Sequence, residues 1–171
     1  EDDLRRLAGE NALRVMRVRG GERVRLVDGA GWEGDAVAQD SHSGRLQVRV
    51  SARRPCAGEH HLAGRVALPL LRSAARMDWA VEKCTELGAV GFEIYRAQRS
   101  VKGLTRGGES KRTRWRRVAK AAMKQSGRAL WPQVRIHAGL DAVLTDAAAP
   151  VLVLADAAGE ALVPADLPPG V

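Results

Sequence analysis

The chain has 171 residues, enough for one mid-sized domain or two small ones with real cores. Hydrophobic residues make up 45% and charged residues 28%, ordinary globular usage that excludes a disordered chain, and no run of eighteen apolar residues offers a spanning helix. The net charge of +8, from 28 Lys and Arg against 20 Asp and Glu, directs attention to an anionic partner.

The start, EDDLRRLAGE, is acidic and amphipathic, with no secretion signal, so the expected location is cytoplasmic. A short helix is predicted over about 3–17, carried by Leu4, Leu7, Leu13 and Met16. ERVRLVDGAGWEGDAVAQ then alternates apolar and polar residues on either side of an Asp28-Gly29 turn, which predicts a hairpin. RLQVRVSA, from Arg45, repeats the alternation. Three short strands so close together predict a small barrel-like β domain with Arg-rich outward positions, closed by the linker RRPCAGEHHLAG.

From Arg65 the pattern changes to apolar runs alternating with helices, the pattern of a parallel sheet with crossover helices. GRVALPLL reads as the first strand. RMDWAVEKCTELG follows as a helix with Met77, Ala80, Val81, Cys84 and Leu87 on its buried face and Gly88 as its stop. AVGFEIYRA is the next strand. A long helix runs from about Glu109 to Ser126, with Trp115, Val118, Ala119, Ala122 and Met123 inward. PQVRIH, a helix over about 140–145 and APVLVLAD supply a further strand, helix and strand.

The positive charge is local. Residues 99–128 hold eleven Lys and Arg and one acid, Glu109, while the rest of the chain is slightly acidic. Arg117, Lys120, Lys124 and Arg128 fall at i, i+3, i+7 and i+11, which would line four cations along one stripe of the long helix. Such a stripe is either a polyanion footprint or a solvated face. Lys83 and Glu86, on the polar face of their helix, read as structural. Cys56 and Cys84 have no CxxC spacing and read as reduced thiols, Cys84 as a small core residue. The histidines are scattered, the His60-His61 pair reads as a loop pair, and no metal is expected. There is no GxGxxG and no GxxxxGK[ST].

Three separated blocks, RMDWAVEKCTELGA (76–89), RSV (99–101) and RWRRVAKAAMKQSGRALWPQV (114–134), resemble the RsmE family of 16S ribosomal RNA uridine-N3 methyltransferases. LRVMRVRGGERVRLVDGAG resembles that family's β domain. The resemblance implies an α/β protein: a PUA-like or OB-like RNA-binding domain over 1–57 joined to the first part of a SPOUT methyltransferase domain over 64–171. It also implies a homodimer, S-adenosylmethionine as methyl donor, and 16S ribosomal RNA or the small ribosomal subunit as partner. The family's C-terminal trefoil-knot motifs do not occur in this sequence, so the cofactor site is expected C-terminal to Val171. Arg99 and Arg128 match motif arginines and become candidates for holding RNA or the target uracil; Arg117, Lys120, Lys124, Gln125 and Arg128 are the candidate RNA contacts. Two alternatives stand beside this reading: a non-catalytic RNA-binding module, if the chain ends at Val171, and a small-molecule-binding α/β domain with a solvated basic helix.

Overall fold

The computed structural model describes residues 18–39, 47–59, 63–99, 108–146, 151–156 and 158–163. The helix predicted near the N-terminus and the His60-His61 pair lie outside these residues. The chain divides into two compact units, one formed by residues 1–59 with 119–132, the other by 60–118 with 133–171. The units therefore do not part at a single point in the sequence. The boundary enters the long helix between Val118 and Ala119 and leaves again after Pro132.

The first unit is an antiparallel sheet of β1 (Arg23–Val27), β2 (Trp32–Ala38) and β3 (Val48–Pro55), in the order β1-β2-β3. Period-2 alternation puts Leu26, Ala36, Ala38 and Val48 on one buried face, with Val18, Val24 and Val50 packed against them. Asp28 shapes the turn between β1 and β2: its Oδ1 accepts the N–H groups of Ala30 (2.7 Å) and Trp32 (3.0 Å). β3 runs on to Pro55, so Arg53 and Arg54, expected in a linker, are strand residues.

Several arginines of this sheet are neutralised. Glu33 is buried and pairs with Arg25 and Arg54; Arg54 also reaches Asp35 at 2.5 Å, and Arg53 lies 3.5 Å from Asp28. Burial alone would raise the Glu33 carboxyl, but Cys56 and the two guanidinium groups hold it below the ordinary range.

The second unit carries a parallel sheet, β4 (Arg65–Pro69), β5 (Gly91–Tyr95) and β6 (Gln133–His137), in that order. Helix α1 (Ala74–Glu86) joins β4 to β5, α2 (Gly108–Gln125) joins β5 to β6, and α3 (Leu140–Asp146) follows β6 and lies against β5 and β6. Parallel neighbours need long crossovers, and these helices supply them. Phe92, Ile94 and Val134 share the apolar face and are fully buried. The other face is polar, an unusual pattern for a parallel sheet.

Ser73 caps α1 by accepting the Arg76 N–H at 3.3 Å. Gly88 (φ 108°) ends the helix, with the Ala89 N–H donating to Cys84 O and the Gly88 N–H to Thr85 O, a six-residue closure that favours glycine at the left-handed position. Leu87, expected on the buried face, is instead 80% exposed because it is the residue at which the chain leaves the helix. Thr85 takes the buried place and satisfies its hydroxyl on Val81 O at 2.7 Å. The Lys83 ammonium pairs with Glu82 and Glu86 on the polar side. APVLVLAD does not form the predicted strand: residues 151–156 have no strand pairing, and Leu152 and Leu154 are exposed. Apolar composition favours a strand only where a neighbouring strand receives its backbone groups.

Candidate nucleic-acid interface

Helix α2 is built from two opposed faces. Trp115, Ala119, Ala122 and Met123 are buried, Glu109 lies in the first turn and Lys124 in the last, as the helix dipole favours. Two of its arginines are internally paired, Arg112 with Glu109 and Arg114 with Asp78. Among the described residues, Arg117, Lys120 and Lys124 have no carboxylate within ion-pair distance, and their spacing on one helix places them on a common side. Lys120 Nζ stands 4.4 Å from the centre of the Trp131 ring. Dehydration, together with the Lys120 charge, holds the Lys124 ammonium below the ordinary lysine range.

The stripe ends earlier than the spacing predicts. After Gln125 the chain closes with Gly127 at φ 73°, the Arg128 N–H donating to Met123 O (2.9 Å) and the Gly127 N–H to Lys124 O (3.4 Å). Arg128 is therefore off the helix, and at 2% exposure it is buried rather than presented as a fourth cation. Its Nε and Nη2 donate to Glu59 Oε2 at 3.1 and 2.7 Å, while Glu59 Oε1 accepts the Ala129 and Leu130 N–H groups at 2.6 Å each. One carboxylate thus holds a guanidinium and two main-chain donors of the same loop. Cys56 Sγ and Arg25 Nη2 both donate to Gly127 O, and a Cβ on Gly58 would sit 2.9 Å from that oxygen. Gln125 is exposed, and local capping falls to Ser126, whose hydroxyl donates to Ala122 O. Arg99 is exposed beyond the end of β5, in the second unit.

Sequence reasoning missed Glu59, Trp131 and a polar cluster on the second sheet. There Glu93 Oε2 lies 2.6 Å from His137 Nε2, Glu93 Oε1 accepts from Arg65 Nε at 2.6 Å, and His137 Nδ1 lies 3.7 Å from Asp146 Oδ2. Glu93 and His137 are alternate-face residues of adjacent parallel strands, so only the strand register brings them together. Burial acts to raise the Glu93 carboxyl, but His137, Arg65 and Arg135 outweigh it and hold it below its ordinary 4.5. A carboxyl depressed by folding contributes stability that is fully present above pH 4.5 and is lost as pH falls through the folded value. Glu93→Gln is expected to unfold more easily at neutral pH yet to lose less stability below pH 4.5. Urea unfolding across that range checks this; parallel curves for the two proteins would contradict it.

Burial, acting alone, pushes the Cys84 thiol up, away from nucleophile chemistry. No cluster of three or more His, Cys, Asp or Glu suited to a metal occurs among the described residues, and none of their helices is long and apolar enough to cross a membrane.

Residues 59–166, which include the Glu59 clamp and both crossover helices, match the RNA methyltransferase domain family. The chain belongs to this family, in its RsmE branch. It is 32% identical over 141 residues to the ribosomal RNA small subunit methyltransferase E of Mycobacterium bovis, covering 74% of this chain and 48% of that protein. To the protein of the same name from Bacillus subtilis it is 30% identical over 127 residues, covering 71% and 48%. The chain thus spans about half the length of the curated relatives it matches. Among solved structures it is similar to the ribosomal RNA small subunit methyltransferase E of Neisseria gonorrhoeae bound to S-adenosyl methionine. The TM-score is 0.70 at 26% identity, covering 80% of this chain and 57% of that one. A Legionella pneumophila protein solved with the cofactor SAM gives 0.72 at 25% identity, covering 82% and 58%. These likenesses agree with the mixed α/β fold, in which the described residues form two small sheets and three helices.

Proposed function

We propose that this chain is the RNA-holding part of a small-subunit ribosomal RNA methyltransferase that transfers a methyl group from S-adenosylmethionine to N3 of a uridine in 16S ribosomal RNA. The observation that carries the reading is the pair Lys120 and Lys124, uncompensated by any described carboxylate, on a helix of a chain that belongs to an RNA methyltransferase family. In the finer reading, the first sheet is part of a PUA-like RNA-binding domain and the second part of a SPOUT domain. The working unit is a cytoplasmic homodimer acting on 16S ribosomal RNA or the small ribosomal subunit, as the RsmE resemblance implies.

The methyl donor is given no residue of this chain. A cleft of about 480 Å³ is lined by Leu71, Arg72, Ser73 and Arg76, two of them cationic residues, a composition that does not suit a sulfonium cation. The donor site belongs to the part of the relatives' length that this chain does not span. What these residues do is hold and orient RNA. N3 of uridine must lose its proton before it can act as a nucleophile, and a cation near the ring stabilises the anion that develops. Exposed Arg99 is the candidate for that contact. Arg128, committed to Glu59, is better assigned as a positioning residue that holds the loop after α2.

Replacing Lys120 and Lys124 together by Gln tests the reading. Folding is expected to survive, since surface charges contribute little to stability. RNA affinity is expected to fall, and the slope of log K against log salt to shrink by roughly 0.7 per lost phosphate contact, about 1.4 for the pair. A filter-binding titration over a salt series measures both, and unchanged affinity and slope would make the stripe a solvated face.

A further inference from the structure

Trp131 follows the loop that Glu59 clamps. Its N–H donates to Gly29 O at 2.9 Å, and the Gly31 N–H donates to Ala129 O at 3.2 Å, so residues 29–31 and 129–131 are zipped main chain to main chain within the first unit. A Cβ added at Gly29 would lie 3.5 Å from the Trp131 side chain. A ring whose backbone is held this way has little freedom to swing into a core. It is in fact 37% exposed, and Trp32, next along the zipped segment, is 39% exposed. Each indole carries a cation over its face, Lys120 over Trp131 at 4.4 Å and Arg53 over Trp32 at 4.7 Å. The two cations differ. Arg53 has Asp28 beside it, whereas Lys120 has no described carboxylate and has the like charge of Lys124 as its neighbour.

Uncompensated ammonium groups beside a half-bare indole complement a partner that brings both negative charge and flat rings. Unpaired RNA brings both. An acidic peptide supplies charge without the ring, and duplex RNA keeps its bases stacked on one another. Resting on the RNA methyltransferase reading above, we infer that Trp131 is a stacking platform for an unpaired base of the RNA, with Lys120 and Lys124 on the flanking phosphates. The base takes the place of the Lys120 ammonium over the ring, and the ammonium turns to a phosphate oxygen, a stronger partner for it than a π face. Stacking of this kind is tolerant of sequence, because every base has a π face. The site therefore holds strand rather than selecting the target nucleotide.

The test separates ring from charge. Binding of a labelled oligouridine to the protein is followed by anisotropy over a salt series for Trp131→Leu, Trp131→Phe and Lys120→Gln. Trp131→Leu is expected to weaken binding by roughly 5- to 150-fold, the equivalent of the ~1–3 kcal/mol that a base stack contributes, with the salt slope unchanged because the indole is neutral. Trp131→Phe keeps a ring and retains most of the affinity. Lys120→Gln shrinks the slope by about 0.7. Oligouridine is also expected to quench the tryptophan fluorescence of the unmodified protein more than that of Trp131→Phe, a comparison that holds even where Trp131→Leu fails to fold. The inference is overturned by a Trp131→Leu protein that binds within about twofold of the original, by equal weakening on duplex RNA, or by equal quenching in the two proteins. If the lysine variants lose affinity while Trp131→Leu does not, stacking alone fails; if the unmodified protein binds no oligouridine, the RNA-holding reading fails with it.

Discussion

Glu59→Ala is expected to destabilise the first unit by about 3–5 kcal/mol, the cost of removing one partner of a buried ion pair and leaving the other behind. The Arg128 guanidinium is 2% exposed and donates two hydrogen bonds to the Glu59 carboxylate, which accepts two more from the Ala129 and Leu130 N–H groups. Without that carboxylate all four donors lose an acceptor at once. Arg128→Ala is expected to cost less, because it removes the charge that most needs compensation and leaves Glu59, which is 16% exposed, still accepting from the main chain. The double variant is then expected to fall near Glu59→Ala rather than at the sum of the two. Urea unfolding of the three proteins measures this. Equal and additive losses would mean that Glu59 and Arg128 stabilise the fold separately. The loop they hold leads directly to Trp131, so Glu59→Ala is also expected to weaken RNA binding without changing a single cation.

Trp115→Ala is the second large effect, expected at about 3–5 kcal/mol, the range for truncating a buried aromatic side chain. Trp115 is 4% exposed in the middle of α2, and its replacement opens a void that a rigid helix cannot fill by moving one residue. Val118→Ala, at a half-buried position on the same helix, is expected to cost less, at about 1 kcal/mol. Thermal unfolding of both variants gives the comparison. A Trp115→Ala loss no larger than that of Val118→Ala would mean that the indole packs against little.

Much of the secondary structure could be read from periodicity alone. The hairpin around Asp28-Gly29, the parallel strands flanking two crossover helices, the Gly88 stop and the inward row Trp115, Ala119, Ala122 and Met123 all express local rules of side-chain spacing, and those rules act over a few residues. The same locality explains the failures. Leu87 has the right spacing for the core but stands one residue past the last turn, and Leu152 to Leu154 have strand composition without a strand beside them. Arg128 has the right spacing for the cationic stripe, but Gly127 turns the chain first.

Lys120 and Lys124 were identifiable as candidates because charge and helical period are both written in the sequence. Their setting was not. Whether a lysine meets a carboxylate, a phosphate or an indole depends on residues far along the chain, and nothing in the spacing of Lys120 announces Trp131. The sequence by itself determined most of the elements, the family and the location of the positive charge, because each is carried by neighbouring residues or by short blocks. Only the tertiary structure decided that Arg128 is buried on Glu59, that Glu93 meets His137, and that Arg25, Arg53 and Arg54 of the first sheet are neutralised by Glu33, Asp35 and Asp28. Ion pairing is set by distance in space, and the Glu59–Arg128 pair spans 69 residues of sequence.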